Sequence, residues 1–302
     1  MTNRNATDGF GRRGVLGLGA AGTVGGGLAA GLAAFGPTAA RAQAGDGQSK
    51  LQQVLDRGHL IVGTGSTNPP WHFEDETGTL VGMDIDMARL LAKGLFDDES
   101  KVEFVLQGSD GRIPSLVTDQ VDVICQWMTI TPGRAQQVAF TVPYYREGVS
   151  LMVMADGAKY ATFEDIKAAG SEARVGAMQN VFIEDWVHAA LPEAAVDQFD
   201  SPDSTLQALN ARRVDAYLAD QSAIRWLMQT TPDRYQNLKY GWMPNSYASA
   251  VRQGDPIWLD WVNTVYREAM MGVDFPAMKA SYEKWFGIVV DQPLVGFPQE
   301  FR

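Results

Sequence analysis

The sequence predicts an α/β protein in two units, and three observations carry that reading. Short apolar runs alternate with helical patterns from about residue 50 onward. The alternation restarts after Tyr144-Tyr145 with a long apolar strand, Val149–Met154. No low-complexity linker separates the two rounds, so the units are expected to be joined by strands crossing between them. Alternating strands and helices place helices over mainly parallel sheets. Ligands of such sheets bind beyond the carboxyl ends of strands, which directs attention to the loops that follow them.

Taken in order, Ser49 caps a helix through Leu51, Val54 and Leu55 that stops at Gly58, and a strand follows at Leu60-Ile61-Val62. Met83 to Phe96 reads as a helix with Ile85, Met87, Leu91 and Leu95 among its apolar positions. Strands are expected at Val102–Leu106 and Val121–Cys125, with a helix at Ile113–Leu116 between them. The second round gives strands at Arg174–Ala177, Val196–Phe199 and Asp215–Leu218, with helices near 180–190, 203–211 and 221–229. A last strand at Ala248–Val251 precedes helices near 256–271 and 275–285.

The N-terminus has a different character. Arg12-Arg13 precede an uncharged, Gly- and Ala-rich stretch from Gly14 to Ala40, then Ala42-Gln43-Ala44, the layout of a secretory signal with a small-x-small cleavage site. Paired arginines before Val15-Leu16 resemble a twin-arginine export signal, and Arg41 would hinder the general secretory route. The rival is a membrane anchor, since the uncharged run is long enough to span; its many glycines and the cleavage motif favour removal. Without residues 1–44 the chain loses four arginines and one aspartate, leaving 21 basic and 35 acidic residues, net −14. That charge disfavours a grip on nucleic-acid phosphates and suits a protein kept soluble by self-repulsion in the periplasm. Cys125 is the only cysteine, so no intrachain disulfide forms, and His59, His72 and His188 lack metal-ligand spacing. Neither a metal nor a cofactor is expected.

Residues 121–140, VDVICQWMTITPGRAQQVAF, hold the most chemistry. An apolar strand runs into Thr129-Ile130-Thr131, Thr131-Pro132 opens a helix, and Arg134 stands in its first turn. A helix start beside a guanidinium makes a carboxylate or phosphate site, although a plain capped helix with a surface arginine shares the pattern. Asp220 ends the strand Ala216–Leu218 and precedes a helix; it reads either as an ordinary N-cap or as a partner for a ligand ammonium.

Stretches that occur in order across 51–287 are more specific: IVGTGSTNPPWHF, GTLVGMDIDMARLLAKGL, GRIPSLVTDQVDVI, MTITPGRAQQVAFTVPYY, RRVDAYLAD, YASAVRQGDP and YEKWFG. With them the chain resembles the bacterial periplasmic amino-acid-binding proteins, the polar-amino-acid group of extracellular solute-binding proteins. The resemblance implies a type II periplasmic-binding-protein fold: two lobes joined by two crossover strands, near 143–149 and 241–247, with the ligand between them. Residues 45–144 and 246–302 would form one lobe and 145–245 the other, behind a leader of residues 1–44. It also implies that Thr129 and Arg134 hold a ligand α-carboxylate, that Asp220 and the backbone of Trp127 receive the α-ammonium, and that Gln179 and Asn180 offer N–H groups to the carboxylate. The partners implied are a small-molecule ligand, an amino acid foremost, and the permease and ATPase of an ABC importer.

Several positions depart from the family pattern. Asn68 and Ser109 stand where covering aromatics are common, and Trp127 where a glycine or small residue is common. Ala177-Met178-Gln179-Asn180 replaces a Ser-Gly-Thr-like loop. Arg112, in GRIPSL, either reaches a side-chain carboxylate of the ligand or is a solvated arginine at a helix start. Trp71 lines the cleft mouth or belongs to the core. Asp84 and Asp86 are expected to be structural, and Cys125 a buried, inert thiol. Two other functions compete: a periplasmic enzyme of the cyclohexadienyl dehydratase type, which needs a cleft carboxylate as general acid, and an accessory or sensor protein of another periplasmic system. Glu184 and Asp185 lie beyond apolar Val181 and Phe182, so the loop before them holds no well-placed acid.

Overall fold

The computed structural model describes residues 47–179 and 182–293. The expected leader of residues 1–44 and Asn180 therefore lie outside the described residues. The first round of elements runs α1 (Lys50–Arg57), β1 (Leu60–Thr64), β2 (Thr67–Asn68), β3 (His72–Glu74), β4 (Leu80–Val81), α2 (Met83–Phe96), β5 (Val102–Leu106), α3 (Arg112–Val117), β6 (Val123–Thr129), α4 (Pro132–Ala135) and β7 (Ala139–Phe140). The second runs β8 (Tyr145–Met154), α5 (Phe163–Ala169), β9 (Arg174–Met178), α6 (Ile183–His188), β10 (Ala195–Phe199), α7 (Pro202–Asn210), β11 (Ala216–Asp220), α8 (Gln221–Thr230) and β12 (Tyr235–Val251). Helices α9 (Pro256–Met271) and α10 (Phe275–Phe286) close the chain.

Local chemistry sets the element ends. Ser49 accepts from the Leu51 N–H at the start of α1, and Gly58 takes the left-handed conformation (φ 80°) that ends it. Thr131 caps α4 by accepting from the Arg134 N–H ahead of Pro132. Helix α2 buries Met83, Met87 and Leu91, spaced four apart, with Ile85, Ala88 and Ala92 beside them.

The main sheet has the order β10-β9-β11-β8-β12-β6-β1-β5. Parallel pairing holds within β10-β9-β11 and within β6-β1-β5, as the alternation requires. Between these parallel blocks stand β8 and β12, antiparallel to each other and to their outer neighbours. The expected short strand at Ala248–Val251 is the end of the 17-residue β12, whose start is too polar to show the apolar run on which the expectation rested. Pairing of β8 with β12 matches Tyr145 with Tyr247 and Trp242 with Val149, and it slips at Asn237/Gly241 and Trp242/Asn245. The slips lie where Lys239 (φ 58°) and Met243 (φ 52°) adopt the left-handed region.

Each lobe has its own core. One is built on Trp71, Met87, Leu91, Val123, Trp258 and Phe286, and the other on Leu151, Val153, Ile166, Val175 and Leu218. Trp71 is fully buried, packed edge-on against Tyr145 (4.8 Å) and Tyr247 (5.2 Å) of the two crossovers. Its indole N–H donates to Ser222 Oγ at 2.9 Å. Trp71 thus belongs to the core and does not line the cleft. The Trp71 backbone N–H donates to the Asn68 carbonyl at 2.9 Å, and an indole of that size is better buried with its one side-chain donor satisfied than left at the rim.

Candidate ligand-binding cleft

Between the lobes lies a cleft of about 940 Å³ whose walls include Arg112, Trp127, Thr129, Arg134, Asp220 and Tyr247. Strand β6 delivers Trp127 and Thr129 at its carboxyl end, and α4 follows with Arg134. The Arg134 Nη1–H donates to the Thr129 carbonyl at 2.8 Å, which fixes the guanidinium at the mouth of that strand. Trp127 holds φ 37°, a left-handed conformation that a large side chain adopts only where its surroundings enforce it. Its ring meets the His72 edge at 5.3 Å and tilts toward Tyr247 at 6.3 Å.

Arg112 is 5% exposed, so the solvated-arginine alternative fails. Its Nη2–H donates to Ser109 Oγ at 2.8 Å, whereas Nε has no hydrogen-bond partner among the described residues. Burial first, then the neighbouring Arg134, brings the Arg112 pKa down to about 10, which leaves it a cation at neutral pH. Burial also lowers that of Arg134. Neither guanidinium has a carboxylate within ion-pair distance among the described residues.

Asp220 faces them from the other lobe. It sits at the N-cap position of α8, yet its side chain makes no capping bond. Instead its Oδ2 accepts from the Tyr247 hydroxyl at 2.6 Å, and burial pushes its pKa up to about 6. The ordinary-cap reading therefore does not hold. Glu184, Asp185, Asp200 and Asp203 line the same lobe's wall, so the two acids expected to lie beyond the site do reach the cleft. Glu184 and Asp185 reach it from the first turn of the short α6.

Gln179 lines the cleft, but its backbone N–H donates to the Phe199 carbonyl at 2.8 Å. The parallel β9–β10 ladder extends one residue past its end and takes the N–H that was expected to be offered to a carboxylate. Asn68 also lines the cleft, and it is held from behind. Asp84 accepts from His72 Nδ1 (2.8 Å) and from the Tyr144 hydroxyl (2.9 Å), so His72 Nε2 is the acceptor for the Asn68 amide at 3.1 Å. Asp86 accepts from Ser281 and the Trp285 indole, so both aspartates of that segment are structural. Cys125 is buried, and burial pushes its thiol up to about 12, which leaves it unreactive.

The sequence reading missed Glu147. It lies on β8, is 6% exposed, and accepts from the Gly148 N–H (2.9 Å) and the Ser222 hydroxyl. Burial, reinforced by Asp220, pushes its pKa up to about 8. Standing beside Arg146 at the polar head of β8, Glu147 gave no sequence signal of this placement.

Comparison with known proteins agrees with this architecture. Residues 60–288 match the family described as bacterial extracellular solute-binding proteins, family 3. The L-cystine-binding protein TcyJ of Escherichia coli (strain K12) is 30% identical over 240 residues, covering 78% of this chain and 86% of TcyJ. A glutamine-binding protein of Geobacillus stearothermophilus is 34% identical over 206 residues, covering 64% and 72%. Among solved structures, an ancestral cationic amino acid solute binding protein (AncCDT-1) superposes with a TM-score of 0.68 at 32% identity, covering 79% of this chain and all of that one. The same ancestor is described as a precursor of cyclohexadienyl dehydratase. A two-lobed α/β fold with a polar cleft at its crossover strands is that of a solute-binding protein. The chain belongs to the family 3 extracellular solute-binding proteins.

Proposed function

We propose that this solute-binding protein captures an amino acid in the periplasm and hands it to the permease and ATPase of an ABC importer. The observation that carries this reading is the charge arrangement of the cleft: two guanidiniums on one lobe and Asp220 on the other, none of them with an opposite charge within ion-pair distance among the described residues. A zwitterion laid across the gap answers both walls. Arg134 and Thr129 take its α-carboxylate, Asp220 takes its α-ammonium, and Trp127 covers it. Asn68 and Gln179 border the site through their side chains. The lobes divide at 144/145 and 245/246, and closure about the two crossover strands removes the ion pairs from water, where they strengthen.

Arg112 reads an oxygen on the ligand side chain through the donors that Ser109 leaves free. Calorimetric titration of the mature protein with L-amino acids and with acids lacking the amine tests the function. Saturable binding of an amino acid, with compaction in solution scattering, is the expected result. Arg112→Ala is expected to weaken glutamate or aspartate more than a neutral amino acid. Equal losses for both would remove Arg112 from the side-chain site. Conversion of a cyclic acid by wild-type protein, lost in Glu184→Gln, would favour the dehydratase alternative instead.

Export completes the proposal. Twin-arginine passage and cleavage after Ala44 release a soluble protein starting at or close to Gly45. Mass spectrometry of periplasmic material checks the N-terminus, and Arg12→Lys with Arg13→Lys is expected to stop export. An intact N-terminus in the membrane fraction would establish an anchor.

A further inference from the structure

The strand register brings a second carboxyl group to the ammonium side of the cleft. In the antiparallel β8–β11 ladder, Asp220 stands opposite Val149. Residues directly opposite share a face, and so do residues two apart along a strand. Glu147, two residues before Val149, is therefore the diagonal neighbour of Asp220 on the same face of the sheet, at a separation of roughly 7–8 Å between such positions.

Neither acid is neutralised by a cation. Among the described residues, no lysine, arginine or histidine lies within ion-pair distance of either carboxylate. The groups around them are Tyr145 and Tyr247 on the crossovers, Tyr217 on β11, Tyr282 on α10 and Arg225 on α8. Glu147 spends its oxygens on the Gly148 N–H and on the hydroxyl (2.5 Å) and N–H (3.4 Å) of Ser222, in the first turn of α8. The Ser222 hydroxyl in turn accepts from the Trp71 indole, so Glu147 ties the helix that begins next to Asp220 to the opposite lobe.

We propose that Glu147 and Asp220 form a proton-linked ammonium receptor: the empty cleft keeps one proton on this carboxyl pair, and the ammonium of the captured ligand drives it into the solvent. The proposal rests on the amino-acid reading above. A buried carboxylate, Glu147, and a half-buried one, Asp220, on the same sheet face resist ionising together, and an opposite charge placed beside them reverses that. Burial pushes Asp220 up to about 6, and burial with the neighbouring Asp220 pushes Glu147 up to about 8, so at neutral pH the pair holds one proton between them. Glu147 is a positioning residue here. It does not line the cleft, and it acts through Asp220 and the start of α8.

The sign follows from linkage. The unliganded protein binds more protons than the complex, so affinity rises with pH between about 6 and about 8, by up to tenfold per unit for one proton. The test is titration calorimetry at pH 7 in phosphate and in Tris, whose ionisation enthalpies differ. L-Glutamine, L-glutamate, L-arginine and L-cystine serve as probes, with glutarate as the amine-free control. For any amino acid that binds, the apparent enthalpy is expected to depend on the buffer, with a large fraction of one proton released. Glu147→Gln is expected to bind the same amino acid without that dependence. Buffer-independent heats in the wild type overturn the proposal and leave the amino-acid reading standing. Retention of wild-type proton release by Glu147→Gln overturns it too. Glutarate binding as tightly as glutamate removes the ammonium site itself, and no binding by any of the amino acids overturns both readings. Should the variant not fold, the wild-type protein decides: affinity unchanged from pH 6 to pH 8 is the contrary result.

Discussion

Arg134→Ala is expected to weaken amino-acid binding by roughly 30- to 4,000-fold. Truncating one partner of a buried, hydrogen-bonded charge pair costs ~2–5 kcal/mol, because the other charge remains buried and unpaired, and each 1.4 kcal/mol is about tenfold. The guanidinium is aimed before the ligand arrives, since its Nη1–H is already held by the Thr129 carbonyl. Little of the binding energy is then spent on ordering it. The fold is expected to survive the change. Helix α4 keeps its Thr131 cap and its Pro132, and Arg134 is only partly buried. Calorimetry with a melting curve as control separates the two effects. A variant that folds and binds as the wild type does would show that the carboxylate is held elsewhere.

Asp220→Ala is expected to be as severe for an amino acid and mild for a carboxylate without the amine. The contrast is informative because Asp220 does little for the helix it precedes: its side chain makes no capping bond, so its removal spares α8. What is lost is the negative charge opposite the arginines, along with the hydrogen bond that the Tyr247 hydroxyl donates to it. Asp220→Asn keeps an acceptor for Tyr247 and removes only the charge, so it is expected to lose most of the same affinity. Titration of each variant with glutamate and glutarate measures the difference directly. Equal losses for both ligands would mean that Asp220 shapes the cleft without meeting an ammonium. Near-wild-type affinity in both Arg134→Ala and Asp220→Ala would mean that the pocket recognises some solute other than an amino acid.

Much of the architecture was legible in the sequence because it rests on local rules. The apolar spacing of Ile85, Met87 and Leu91, the cap at Thr131 before Pro132 and the apolar runs of β1, β6 and β8 are properties of neighbours along the chain. The Thr129–Arg134 constellation was legible for the same reason, since strand end, cap and first helical turn follow one another within six residues.

The tertiary structure decided whatever depends on the partner across a gap. Gln179 was expected to offer its backbone N–H, but ladder pairing with β10 reaches one residue further and consumes it. Trp71 stood equally between rim and core until Ser222, from the other lobe, supplied an acceptor for its indole. Arg112 was undecided because exposure is set by packing, and packing gave it 5% exposure and one serine. Glu147 was invisible as a site residue because its meaning lies in a diagonal relation to Asp220, 73 positions away in the chain and adjacent only in the β8–β11 register. Sequence periodicity indicated which segments are strands and helices, and the family resemblance implied the carboxylate role of Thr129 and Arg134. Register and burial, which arise only when distant strands pair and exclude water, determined which side chains line the cleft and which lie buried behind it.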